Sequence, residues 1–225
     1  MKTTETSSPV TQENTATGRQ LQIGVMGSAA DLKYENLQNL AEEIATNLKY
    51  DNRIQDLAEE TGYWIAKNGA TLLFGAEKDY DSLSTAACRG AKRGGGTTVG
   101  VTYGKGLNDT YEKENVDVII ASAQERGGGR EAVLVTSCDG VIAISGGSGT
   151  LTEMAIAYQA SRPIVALQGT GGWSDKLAGQ YLDARNRILV EVAKSPKEAV
   201  ELIIARVREM ALWKYCDYSK IPNKL

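Results

Sequence analysis

Seven short apolar runs recur along the chain, separated by longer stretches of mixed polarity. The runs are LQIGVMG from Leu21, ATLLFG from Ala70, TTVGVTYG from Thr97, VDVIIAS from Val116, GVIAISGG from Gly140, RPIVALQG from Arg162 and ILVEVA from Ile188. Their branched apolar residues mostly follow one another instead of alternating with polar residues, which is typical of strands covered on both faces. The runs therefore predict strands of a mainly parallel sheet.

The stretches between the runs carry apolar residues at i, i+3 and i+4 spacing, as amphipathic or buried helices do. They read IQDLAEETGYWIAKNG, SLSTAACRGAKRGG, REAVLVTSCD, LTEMAIAYQAS and PKEAVELIIARVREMALW. Alternating strands and helices predict an α/β, Rossmann-like, doubly wound fold with helices on both faces of the sheet. Residues 31–52 exceed what a first loop and helix need, and form either an additional helix or a lid.

Composition narrows the class of protein. Residues 1–19 are rich in Thr, Ser, Glu and Asn and predict a flexible N-terminal tail, so that residues 20–225 form a single domain. No apolar stretch has the length of a membrane span or the form of a secretory signal, which predicts a cytoplasmic protein without membrane contact. The formal net charge of −3 argues against nucleic-acid binding through a basic surface.

The residue types present limit the chemistry. The chain contains no histidine, which excludes Ser-His and Cys-His nucleophile pairs and the most common ligand of transition metals. Cys88, Cys138 and Cys216 lie far apart and form no C-x-x-C pair, so we expect reduced thiols and no metal site. Catalysis would have to use carboxylates, arginine, lysine, hydroxyls or main-chain dipoles.

Glycine-rich segments follow several of the apolar runs. In an open parallel sheet, ligands bind at the carboxyl ends of the strands, where these segments would lie. Gly27 and Ser28 follow the first run and are candidate phosphate-binding residues. Further candidate segments are residues 75–77, 127–130, 145–153 and 169–172, with Trp173 as a candidate ligand neighbour.

The run SGGSGTLTE, which ends at Glu153, joins the fifth apolar run to a helix. Thr150 and Glu153 have the spacing of a capping box, which would make this segment an ordinary helix start. A capping box does not need the three glycines and two serines, whose free amides could instead hold a phosphate at the positive end of the helix dipole. The candidate phosphate-binding residues are Gly146, Gly147, Ser148, Gly149 and Thr150. The loop matches neither the P-loop nor G-x-G-x-x-G, so neither P-loop ATP hydrolysis nor standard NAD binding is indicated.

SGGSGTLTE, preceded by REAVLVTSCDGVIAI, resembles the nucleotide-binding signature of the Lonely Guy and lysine-decarboxylase-like superfamily. In that signature an arginine on one helix precedes a G-G-x-G-T-x-x-E loop after the next strand. The likeness runs from Leu21 to about Ala199 and includes GVMGSA and AACRGAKRGGGTTVGV. The continuation MAIAYQASRPIVAL is most similar to the branch that contains molybdenum-cofactor carrier proteins.

The resemblance implies a nucleotide-binding domain and, in its enzymes, phosphoribohydrolase activity, which releases the base and ribose 5-phosphate from a nucleoside 5′-monophosphate. It implies Arg130 and Glu153 as catalytic residues, with Glu153 at the ribose or the attacking water and Arg130 paired with it. A carboxylate suits that position because the oxocarbenium-like transition state is positive at the sugar. The resemblance also implies a homodimer or a higher homo-oligomer.

Two positions depart from the Lonely Guy enzymes, which usually have proline at Ser145 and an Arg-Lys pair at Arg130-Glu131. The alternative to a hydrolase is therefore a non-enzymatic carrier, which would hold molybdenum cofactor or another phosphorylated pterin as cargo through the same loop. Neither function requires a cofactor of its own. A third hypothesis, single-stranded DNA binding, is opposed by the net negative charge and the lack of a basic stripe.

Overall fold

The computed structural model describes residues 19–27, 40–76, 81–104, 113–125, 127 and 129–215. Nearly all of the predicted tail, the candidate residue Ser28 and the thiol of Cys216 lie outside these ranges. The strands are β1 (Gln22–Gly27), β2 (Thr71–Gly75), β3 (Thr98–Thr102), β4 (Val118–Ala121), β5 (Gly140–Ile144), β6 (Ile164–Leu167) and β7 (Val190–Ala193). The helices are α1 (Leu40–Lys67), α2 (Leu83–Arg93), α3 (Gly129–Thr136), α4 (Ser148–Gln159), α5 (Gly172–Leu177) and α6 (Pro196–Tyr215).

The strands form one parallel sheet in the order β4-β3-β2-β1-β5-β6-β7. Each strand falls within one of the predicted apolar runs. The chain leaves β1 toward β2 on one side and returns to pair β5 on the other, so the direction of winding reverses between β1 and β5. Such a reversal opens a crevice at the carboxyl edge of the sheet. The predicted doubly wound α/β fold is confirmed.

Two cores lie on opposite faces of the sheet, because successive residues of a strand point to opposite sides. The first core packs Ile23 and Val25 of β1 with residues of α1, α2 and α6. The second core packs Met26 with residues of α3 and α4, including Leu134 and Met154. The continuous apolar runs follow from this arrangement, since the central strands have no face toward solvent. Among the described residues, no helix is both long and apolar enough to cross a bilayer.

The edge strand β4 differs from the central strands. Its residues Val118 and Ile120 are 47% and 37% exposed. They pair with Val99 and Val101 of β3. These two valines belong to the face of the sheet that α3 and α4 cover nearer its centre. The expectation that helices cover both faces therefore does not extend to this edge.

Part of the segment 31–52, for which the sequence predicts an additional helix or a lid, belongs to helix α1. Residues 40–52 form the first half of this 28-residue helix instead of an additional helix, and residues 31–39 lie outside the described ranges. The guanidinium of Arg53 donates to the carbonyl oxygen of Gly169 at 2.6 Å, just after β6. This bond joins α1 to the loop that follows β6 at the carboxyl edge of the sheet.

Helices α1 and α2 approach each other closely through two glycines. A Cβ atom added to Gly90 of α2 would lie 1.7 Å from the carbonyl oxygen of Glu59, and one added to Gly62 of α1 would lie 1.8 Å from that of Ala87. Both obstacles are main-chain atoms, which cannot move without moving a helix. The absence of a side chain at both positions therefore sets the distance between α1 and α2.

Gly90→Ala should lower the free energy of unfolding by about 1–3 kcal/mol, because the added methyl group forces the two helices apart. Denaturant unfolding followed by circular dichroism measures this. The matched control is Gly149→Ala, also within a helix, where no atom lies within 4 Å of the added Cβ. Equal stability of Gly90→Ala and the native chain would show that the helices pack less closely than described.

Candidate functional site

The crevice at the reversal of winding is bounded by the ends of β1 and β5. Gly27, the last residue of β1, pairs in register with Ile144, the last residue of β5. A Cβ added to Gly27 would lie 2.7 Å from the Cβ of Leu83 and 3.0 Å from the carbonyl oxygen of Ile144. Glycine at this position therefore lets α2 and β5 approach the first strand. Its amide remains a candidate ligand contact.

Helix α4 begins directly above β5 and has no side-chain cap. Its N-cap residue is Gly147, and the first intrahelical bond joins the amide of Leu151 to the carbonyl of Gly147 at 3.1 Å. The amides of Ser148, Gly149 and Thr150 therefore precede the first turn of hydrogen bonds. Residues 147–149 are exposed. In the described part of the chain, a Cβ added to Gly147 or Gly149 would have no atom within 4 Å apart from the adjacent residues and the backbone of α4 itself.

The predicted capping box does not form. The helix begins at Ser148, three residues before the Leu151 start that the box requires, so Thr150 is its third residue and Glu153 its sixth. Thr150 is instead buried beneath the loop, where its side-chain atoms lie 2.4–2.5 Å from the position that a Cβ on Gly146 would take. Glu153 is buried to 7% exposure in the second turn. Both residues thus pack inward and leave the helix start uncapped.

Two other helices that start at the carboxyl edge are capped by side chains. Ser82 and Thr85 form a complete capping box at α2. The Ser195 hydroxyl accepts from the amide of residue 198 at α6. Among these three described helix starts, α4 differs in presenting its first amides toward the crevice. This contrast favours α4 as the anion site.

The loop between β6 and α5 clamps the turn that precedes α4. The amides of Trp173 and Ser174 donate to the carbonyls of Gly146 and Ser145 at 2.9 and 3.0 Å. The Ser145 amide in turn donates to the hydroxyl of Thr170 at 2.8 Å. The first amides of α5 are thus occupied by the turn, whereas those of α4 stay available. The sequence offered only the glycines of residues 169–172 as a signal for this clamp.

The clamped turn has an unusual backbone. Ser145 has φ 55° and Gly146 has φ 103°. Proline is restricted to φ near −65° and has no amide hydrogen, so it can neither adopt this conformation nor donate to Thr170. The serine that replaces the proline of the Lonely Guy enzymes therefore accompanies a backbone that proline could not adopt.

Arg130 lies in the first turn of α3 and is 5% exposed. Its guanidinium covers the end of β2, where a Cβ on Gly75 would lie 1.9 Å from Nη1. Its Nη2 lies 3.3 Å from a carboxylate oxygen of Glu131, which is itself 2% exposed. The negative charge of Glu131 therefore offsets the positive charge of Arg130. The Lonely Guy enzymes usually have a lysine at the position of Glu131, which adds a second positive charge instead.

Arg130 and Glu153 lie on the same side of the sheet, because α3 and α4 pack against each other. The Cys138 thiol lies near Glu153 within this layer. Burial raises the pKa of that thiol, and the negative charges of Asp139 and Glu153 raise it further. The Asp139 carboxylate accepts from the Gln22 amide at 2.8 Å and so joins the start of β5 to the start of β1. Within the described ranges, no group of three or more acidic, cysteine or histidine residues could hold a metal ion.

Comparison with known proteins supports the fold and identifies the family. The model of the SLOG cluster4 family matches residues 20–200. A protein of uncharacterised function from Archaeoglobus fulgidus is 30% identical over 118 residues, which cover 52% of this chain and 73% of that protein.

Two solved structures belong to proteins described as binding or carrying molybdenum cofactor. The molybdenum cofactor binding protein of Rippkaea orientalis is 26% identical, with a TM-score of 0.61 over 84% of this chain and 98% of that one. The Moco carrier protein of Chlamydomonas rheinhardtii is 30% identical, with a TM-score of 0.59 over 84% of this chain and 98% of that one. The predicted resemblance to the Lonely Guy superfamily and its carrier branch is confirmed.

Proposed function

The chain belongs to the SLOG cluster4 family, and from this premise we propose that it binds a phosphorylated small molecule at the start of α4, with molybdenum cofactor as its cargo. The observation that carries the proposal is the uncapped N-terminus of α4 in the crevice between β1 and β5. The similarity to molybdenum-cofactor carrier proteins supports the choice of a phosphorylated pterin.

The physical basis is the match between a phosphate and the first turn of α4. The amides of Ser148, Gly149 and Thr150 point out of the helix at the positive end of its dipole. Gly147 and Gly149 carry no side chain that could block an approaching oxygen atom, and the hydroxyl of Ser148 lies in the same exposed segment. The first turn of α4 therefore offers main-chain and hydroxyl donors to an anion.

Gly149→Asp tests the site without unfolding the protein. A carboxylate in the first turn is stabilised by the helix dipole, so this variant should be as stable as the native chain. The same carboxylate repels a phosphate, so retention of molybdenum cofactor released from a molybdoenzyme should fall by at least tenfold, which corresponds to about 1.4 kcal/mol. Oxidation of the retained pterin to a fluorescent product, after gel filtration, measures it.

Gly149→Ala is the matched control, because it adds a methyl group in open space but no charge. It should retain much more cofactor than Gly149→Asp. Equal retention by the native protein and Gly149→Asp would contradict the proposed phosphate site. Failure of the native protein to retain cofactor would contradict the proposed cargo.

A second candidate function is hydrolysis of nucleoside 5′-monophosphates. The observation in its favour is the buried carboxylate of Glu153, one turn below the amides of α4 and on the same face as Arg130. That carboxylate could stabilise positive charge at the sugar and orient a water molecule. The offset of Arg130 by Glu131 and the backbone at Ser145 favour the carrier over this function.

Incubation with AMP, GMP and CMP, followed by chromatography for the free base, separates the two functions. For a hydrolase, Glu153→Gln should abolish release of the base while the phosphate site still binds nucleotide. For a carrier, the native protein should bind without releasing base. Release of base at equal rates by the native protein and Glu153→Gln would remove Glu153 from the chemistry.

We also propose that the protein forms a homodimer or a higher homo-oligomer and that it is cytoplasmic. The exposed apolar residues Val118 and Ile120 on the edge strand β4 support an assembly, because a partner would remove them from water. Light scattering during gel filtration measures the oligomeric state. A monomer at all protein concentrations would contradict the expected homodimer or higher oligomer.

A further inference from the structure

The structure describes the side chains of two of the three tryptophans, Trp64 and Trp173, and the settings of these two differ. Trp64 packs against the core between the sheet and α1, α2 and α6, and its indole N–H donates to Glu60 at 3.2 Å. Trp173 is half-buried, yet it contributes to neither core formed by the described residues. Packing of the interior thus accounts for Trp64 and leaves Trp173 unexplained.

Hydrogen bonds and close packing fix the backbone of Trp173 beside the turn that precedes α4. Its amide donates to the carbonyl of Gly146 at 2.9 Å. The preceding residue, Gly172, lies so close to the loop that an added Cβ would be 2.4 Å from the same carbonyl oxygen. One turn along α5, the Asp175 carboxylate accepts from the amides of Gly169 and Gly171 at 2.8 and 2.9 Å. The segment that carries Trp173 is therefore braced from both ends.

The side chain of Lys176 lies over the indole of Trp173. The ammonium of Lys176 lies 4.6 Å from the centroid of the Trp173 ring, within the range of a cation–π interaction. The pair thus combines a flat aromatic surface with a positive charge, on a segment whose backbone contacts the turn that precedes α4. That combination is what a ligand with a planar ring and an anionic group requires.

We propose that Trp173 and Lys176 bind the ring end of the ligand whose phosphate is held at α4. The indole stacks on a fused bicyclic heteroaromatic ring, the class that includes purines and pterins, and the Lys176 ammonium attracts the ligand's negative charge. This inference rests on the proposed function, since it assigns residues to the other end of the same ligand.

Two probes separate recognition of the ring from recognition of the phosphate. The first is the carbocyclic analogue of AMP, which has a purine but no hydrolysable glycosidic bond, and the second is ribose 5-phosphate, which has no ring base. Trp173→Ala should weaken binding of the first by about 10- to 100-fold, the size of one stacking contact, and leave the second unchanged. Trp173→Phe should restore most of the affinity, and the control Trp64→Phe should change neither. Calorimetry on the full chain measures all of these affinities.

Each outcome decides between the alternatives. Equal weakening of both probes by Trp173→Ala would show that Trp173 acts only by positioning the loop, and would overturn the inference. So would native protein that binds both probes with the same affinity, although the phosphate site would then stand. Native protein that binds neither probe would overturn the proposed phosphate site and this inference together.

Discussion

Ser145→Pro is expected to disrupt the turn before α4 and to lower the free energy of unfolding by at least about 3 kcal/mol. Ser145 has φ 55°, far from the −65° that proline requires. Its amide also donates to the hydroxyl of Thr170 at 2.8 Å, a bond that proline cannot make. The two losses of stability add, because one comes from the backbone angle at residue 145 and the other from the lost hydrogen bond to Thr170. Denaturant unfolding followed by circular dichroism measures the loss.

The control at this position is Ser145→Gly, which keeps the amide and removes the side chain. A non-glycine residue at positive φ costs about 1–2 kcal/mol, so the glycine variant should be at least as stable as the native chain. If Ser145→Pro instead unfolded at the native denaturant concentration, the turn would have a different conformation in solution. The expected result means that adding the Lonely Guy proline alone would damage this site instead of converting it.

Gly172→Ala should push the loop between β6 and α5 away from the turn at Ser145 and Gly146, and should lower the free energy of unfolding by about 2–4 kcal/mol. Gly172 has φ 59°, and an added Cβ would lie 2.4 Å from the oxygen and 2.6 Å from the nitrogen of Gly146. Because these are main-chain atoms, either α5 or the loop must shift. Affinity for ribose 5-phosphate should fall as well, since the loop that orients the α4 amides moves.

Gly179→Ala is a closely matched control for the clash. Gly179 also has positive φ, at 73°, but its added Cβ would meet only Val192 at an ordinary 3.6 Å. This variant should lose only the backbone contribution of about 1–2 kcal/mol and should bind normally. Stability losses of the same size in both variants would indicate that Gly172 does not press on the loop.

The strands were predictable from the sequence because most of them are buried on both faces. Residues such as Ile142 and Ala143 lie on opposite sides of β5 and both are inaccessible to water, which produces a continuous apolar run. The position of the glycine-rich loop after β5 was predictable for a related reason, since glycines and hydroxyls at the end of a buried strand have no role in the core. The start of α4 was placed three residues too late, because Thr150 and Glu153 have capping-box spacing whether or not they form a capping box.

The clamp and the setting of Arg130 could not be predicted, because both depend on distant segments meeting. Nothing in the sequence around Thr170 and Ser174 distinguishes them from other hydroxyl residues. In the fold, the Thr170 hydroxyl accepts from the Ser145 amide and the Ser174 hydroxyl donates to the carbonyl of Ala143. Likewise, no local pattern links Arg130 to Gly75, whose missing side chain leaves room for the guanidinium. Such contacts become visible only when the order of the strands is known.

The burial of the cysteines has a practical consequence for labelling the crevice. Cys88 and Cys138 are inaccessible, and the raised pKa of the Cys138 thiol keeps it protonated at neutral pH. With Cys216, whose surroundings the structure does not describe, replaced by serine, a cysteine introduced as Ser148→Cys would react first with a maleimide fluorophore. Such a dye would sit at the mouth of the crevice, and its emission would report ligand entry in real time.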